Sequence, residues 1–165
     1  MKKITFLATV LLISALGFSQ NSNSGTADVN AVLVSPITIA EGTNGLDFGS
    51  FTKSSVDASV TVSPDGIRTF SEEDMEISTG NTPTAADFTV TLEDGETYSV
   101  TTNVTQDPEN VSGEILTLRD IITSLDDEST GNNANSFTVG GTLDVPTTAN
   151  AATYSGEISV TVTYE

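Results

Sequence analysis

Residues 154–165 read YSGEISVTVTYE. Tyr154, Ile158, Val160, Val162 and Tyr164 take even positions; Ser155, Glu157, Ser159, Thr161, Thr163 and Glu165 take odd ones. Successive side chains of a strand point to opposite faces, so the stretch predicts a strand with one apolar and one wetted face. No residue follows to cover it, and such a strand is expected to be paired or offered to a partner.

Upstream, the same alternation recurs between turn signals. Residues 136–145 predict a strand, with a bulge at Gly140-Gly141. Residues 88–92 (FTVTL) and 98–104 predict two strands joined by the turn EDGE at 93–96. Residues 56–62 place Val56, Ala58, Val60 and Val62 on one face, and Ser63-Pro64-Asp65-Gly66 then turns the chain. A polar strand is expected over 67–77 and a short one over 46–51. Residues 29–39 are apolar and β-branched around Pro36, which suits an edge strand or one broken by a bulge or a switch of sheet. Asn44-Gly45 suits a turn with positive φ. Residues 106–113, around Pro108, predict a loop. Residues 114–125 read two ways. Leu118, Ile121, Ile122 and Leu125 have helical spacing, whereas ILTL at 115–118 is strand-like; a strand over 114–118 followed by an irregular segment is the preferred reading. The sum is about eight short strands, an all-β antiparallel sandwich.

The opposite end of the chain reads MKKITFLATVLLISALGFS over residues 1–19. Two lysines, an apolar run and small residues at 17 and 19 match a secretory signal peptide cleaved before Gln20. The run is short for a membrane span, which wants ~20 apolar residues. Residues 20–27 are polar, small and expected to be flexible, and residues 28–165 are expected to form one domain. Export places the protein in the periplasm, at the cell surface or outside the cell. It has no cysteine, so stability must come from burial and backbone pairing. The formal charge of −18 becomes −20 once Lys2 and Lys3 leave with the signal. Such a surface disfavours nucleic acid and anionic membranes, and favours solubility.

Four segments carry a family resemblance: SPITIAEGTNGLDFGSF (35–51), VTVSPDGIRT (60–69), ADFTVTLEDGETYSVT (86–101) and FTVGGTLDVPTTANAATYSGEISVTVTYE (137–165). In these the chain resembles a bacterial family of exported all-β proteins, a domain of unknown function (number four-four-zero-two). The carboxyl end is also similar to those of archaic chaperone–usher pilins. That similarity implies an immunoglobulin-like, pilin-like sandwich and self-association or donor-strand pairing through edge strands. Residues 20–26 hold no alternating apolar run; Val29, Ala31 and Leu33 would provide one, at the expense of the domain's own first strand.

The residue inventory narrows the chemistry. With neither His nor Cys, imidazole base catalysis, thiol nucleophiles and most zinc or copper sites are unavailable. Lys53 beside Ser54 is the one place for Ser/Lys chemistry. Glu72, Glu73, Asp74 and Glu76 form the densest acidic cluster and read as a solvated face. SPDGIRTF at 63–70 resembles the Asp-box hairpin of sialidases but has Ile67 where glycine is wanted, so a plain turn is expected. Asp126, Glu128 and Thr130 are weak metal candidates whose oxygen ligands would take Ca²⁺. No catalytic or cofactor-binding residue is predicted. The expected function is therefore non-enzymatic: an exported cell-surface protein with a structural or adhesive role. The alternative is a carbohydrate- or cation-binding surface module presenting Tyr98 or Tyr154.

Overall fold

The structure is a computed structural model that describes residues 22–77, 80–125 and 136–165. The chain divides into Met1–Leu33 and Val34–Glu165. In the first unit, residues 22–33 form neither strand nor helix. The second unit holds eight strands: β1 (Thr38–Glu41), β2 (Ala58–Val62), β3 (Arg68–Phe70), β4 (Ala86–Thr91), β5 (Tyr98–Glu109), β6 (Thr117–Thr123), β7 (Ser136–Val145) and β8 (Ser155–Tyr164). All pairings are antiparallel, as the alternating pattern predicts. Strands β1-β4-β7-β2-β3, with β6 also on β7, make one layer, and β5-β8 make the other.

Strand β7 organises the larger layer. One edge pairs with β6, from Thr117↔Asp144 to Thr123↔Val139. The other edge is shared in tandem. Strand β4 takes its first half, from Thr89↔Ser136 to Ala86↔Val139, and β2 its second, from Val62↔Gly141 to Ala58↔Val145. Gly140 sits at the handover. A Cβ there would run into the Val62 carbonyl oxygen and lie 2.7 Å from the Ser63 carbonyl carbon. Glycine lets the end of β2 press against β7. The bulge predicted at Gly140-Gly141 belongs instead to the partner strand. Arg119 pairs with Thr142 and Ile122 with Gly140, so β6 carries the extra residue, and Asp120 adopts φ 50°.

That bulge also explains the helix-like spacing in β6. In a regular strand Leu118 would share its face with residues 120 and 122. The extra residue shifts the inward set, so Leu118 is buried, Ile121 packs on the core and Ile122 is exposed. The segment after Leu118, expected to be irregular, continues as strand to Thr123.

Other expectations change for similar local reasons. The loop expected over 106–113 starts later, because β5 runs through Pro108 to Glu109 by slipping register twice against β8. The strand expected over 67–77 ends at Phe70; a 3₁₀ turn, Glu73–Met75, then drives Met75 wholly into the core. Residues 46–51 contribute only an isolated bridge, Asp47↔Thr84. The strand expected over 29–39 is reduced to Thr38–Glu41. The 41–45 turn needs no positive φ, which appears instead at Gly49. It is held by Asp87, whose carboxylate accepts the backbone N–H groups of Thr43 (3.1 Å) and Asn44 (2.6 Å). Those bonds hold the Asp87 carboxyl below the usual range, that from Asn44 most of all. The Ser63–Gly66 turn forms as predicted, with Gly66 N–H donating to the Ser63 carbonyl at 2.8 Å and φ 76° at Gly66.

The core lies between the layers in two clusters. The first contains Ala58, Val60, Met75, Leu116, Leu118, Leu143, Val145 and Ala149. The second contains Ala86, Val90, Tyr98, Phe137 and Val139, with Phe88 stacked on Phe137 at 5.6 Å between ring centroids. Ile121 and Ile158 pack on both. Fully burying a Val or Leu side chain is worth roughly 1.5–3 kcal/mol relative to exposure. A core of this size can hold the fold without a covalent staple, and the sequence has no cysteine to make one.

Candidate functional site

The residues singled out for chemistry do not assemble into a reactive group. Ser54 is buried and its Oγ donates to Asp74 Oδ2 at 3.1 Å. The neighbouring Lys53 Nζ turns away, donating to the carbonyls of Thr147 (3.2 Å) and Ala149 (3.1 Å). Glu72, Glu73, Asp74 and Glu76 are exposed around the 3₁₀ turn, with Asp74 also holding Ser54. Asp126, Glu128 and Thr130 lie outside the described residues. Among the described residues no three His, Cys, Asp or Glu side chains stand together in a way that would hold a metal.

Tyr98, proposed as an exposed sugar platform, is 0% exposed. Burial pushes its hydroxyl pKa up. An aromatic at an inward-facing strand position carries apolar area into the core, and turn proximity does not change that. Tyr154 is half-buried, and its hydroxyl donates to the Asn150 carbonyl at 2.9 Å.

The three basic residues beyond the leader are all engaged within the chain. Besides Lys53, Arg68 Nη1 donates to the carbonyls of Phe48 (2.8 Å) and Ser50 (3.0 Å), and its guanidinium lies 4.8 Å from the Phe70 ring centroid. Arg119 Nε donates to both carboxylate oxygens of Asp144 (3.0 and 2.8 Å), and its Nη1 meets Asp120. Arg119 lines an open groove of about 540 Å³ together with Asp57, Ser59, Ser71, Glu72 and Thr117. Its charge is already matched there, and Asp57 is occupied in accepting the Thr147 N–H at 2.7 Å.

The feature left unsatisfied is an edge. Strand β8 pairs with β5 alone. Glu165 N–H donates to the Thr97 carbonyl, which puts the backbone groups of the odd-numbered residues toward β5. By the antiparallel alternation, the N–H and C=O groups of Ile158, Val160, Val162 and Tyr164 point to the free side. Their side chains point to the core, as the sequence pattern predicts, yet all four are only half-buried. Strand β1 is the nearest element on that side, and it forms no ladder with β8. The Tyr164 hydroxyl instead reaches the Ser35 carbonyl at 2.8 Å. Ile37, Ile39, Leu92, Val100, Val160 and Val162 pack on the second cluster but remain partly open to water. Sequence reading identified the strand and its apolar face. It did not locate the bare edge, because neighbour order depends on topology.

The family model "Domain of unknown function (DUF4402)" matches residues 37–164. The chain belongs to this family. The match takes in all eight strands and stops short of the apolar residues 29–34. No curated protein and no solved structure matches the chain.

Proposed function

We propose that this member of the family is an exported, non-enzymatic protein with a structural or adhesive role at the cell surface: a pilin-like subunit of immunoglobulin-like build that self-associates through sheet edges. The observation that carries the reading is the β8 edge. It is ten residues long, without proline, lysine or bulge, and it runs beside a half-covered core. Natural sheets blunt exposed edges with those devices, so an edge left bare is a docking line for another strand. The leader-like residues 1–19 and the surplus of acids support an exported, soluble product. Among the described residues no helix is long and apolar enough to cross a membrane.

Light scattering on size-exclusion fractions, with negative-stain electron microscopy, tests the association. Oligomers that grow with concentration are expected. A strict monomer at every concentration would count against the reading. Amino-terminal sequencing of the exported product tests the leader, with Gln20 as the expected first residue.

A further inference from the structure

Resting on the reading of β8 as an assembly edge, we propose that the strand it receives is residues 28–34 of a second copy of this chain. The segment reads DVNAVLV. It forms no strand or helix, and Val29, Val32 and Leu33 are 92%, 90% and 98% exposed. A run of β-branched and leucine side chains held in water is a surface that a partner normally covers.

Three properties match it to the bare edge. The first is pattern. In an extended chain Val29, Ala31 and Leu33 fall on one face, with Asp28 and Asn30 on the other. The first face suits the half-open core beside Ile37, Ile39, Val160 and Val162; the second suits water. The second is length: seven residues at ~3.3 Å each span roughly 23 Å, which is the reach of 158–164 of β8. The third is backbone chemistry. The segment contains no proline, so each of its N–H groups is available to pair, and Pro36 just beyond it marks where pairing must stop. Charge does not oppose the contact, since Asp28 is the segment's only charged residue and Glu157 the only one in β8.

Strand formation by 28–34 takes nothing from the donor's own sheets, because β1 begins only at Thr38. Each copy then offers one segment and one edge. Such head-to-tail contacts do not close on themselves by symmetry, so the product is a linear chain of subunits.

The test compares the purified exported protein with its Val29→Asp/Leu33→Asp variant. Both substitutions lie outside the eight strands, so the circular dichroism spectrum should be unchanged. Wild type is expected to show a mass several-fold above monomer that rises with concentration, and the variant to remain monomeric. A synthetic peptide of residues 27–35 added to the variant should raise its Tm, and one with the same two Asp substitutions should not. If the variant oligomerises like wild type and the peptide has no effect, this occupant is wrong while the edge reading stands, and another strand covers β8. If wild type is monomeric at every concentration and the peptide has no effect, both are overturned.

Discussion

Where β5 meets β6, the two layers are stitched together. The Leu116 N–H donates to the Pro108 carbonyl at 2.8 Å, Asn110 N–H to the Glu114 carbonyl at 2.9 Å, and Leu118 N–H to Asp107 Oδ1 at 2.9 Å. Glu109 and Ile115 form a bridge. Where β8 faces β1, no ladder forms, and the nearby core residues are half-covered. Both sides begin from strands of β5-β8 with inward apolar residues. The difference lies in local devices. Strand β5 slips register twice and carries Pro108, which bends its end toward β6; β8 is straight. Gly156 allows the bend, since a Cβ there would lie 2.6 Å from the Gln106 carbonyl oxygen. One edge is closed by irregularity, and the other is left open by regularity.

The comparison breaks most directly under truncation of the core. Leu143→Ala, in the closed cluster, should cost ~2–5 kcal/mol in urea unfolding. Val162→Ala, beside the open edge, should cost under ~1 kcal/mol in the isolated subunit, because less apolar area is lost. Equal costs would mean that the two sides are equally closed. Gly140→Ala should destabilise by ~1–3 kcal/mol through overpacking at the β4–β2 handover, read in the same titration.

Asp107→Ala removes the acceptor of the Leu118 N–H and should cost ~1–2 kcal/mol. Hydrogen exchange sharpens this prediction: protection should fall at Leu118 and stay unchanged along β8.

The smallest effect is that of pH. The Glu114 carboxylate accepts from Asn150 N–H (3.1 Å), Asn150 Nδ2 (3.0 Å) and Asn110 Nδ2 (3.0 Å), tying the β5–β6 turn to the loop before β8. Bonds from Asn150 first, and then from the Tyr154 hydroxyl, hold its pKa below the usual glutamate range. A depressed carboxyl contributes stability above its unfolded pKa, and that contribution disappears as pH falls through the folded value. Tm should therefore drop modestly on the acid side of the ordinary glutamate range. Glu114→Gln should flatten that slope, and an unchanged slope would remove Glu114 from the account.

Local regularity explains which parts of the fold were legible. β7, β8 and the Ser63–Gly66 turn follow from side-chain period and turn chemistry, which act within a few residues. Residues 118–125 misled because a bulged strand and a helix turn can place apolar residues at the same spacing, and the extra residue shows only against β7. Residues 29–34 misled because apolar β-branched composition states a preference for pairing without naming a partner. Tyr98 was misplaced for a related reason: aromatic character does not say which face of a strand is inside.

The amino-acid sequence alone determined the all-β class, the apolar face of each regular strand, and the exclusion of imidazole and thiol chemistry, because these depend on residue type and short-range period. The tertiary structure decided that β7 lies at the centre, that every cation beyond the leader is spent internally, and that β8 keeps a bare edge. Those outcomes depend on which distant strands lie side by side, and no local pattern carries that information.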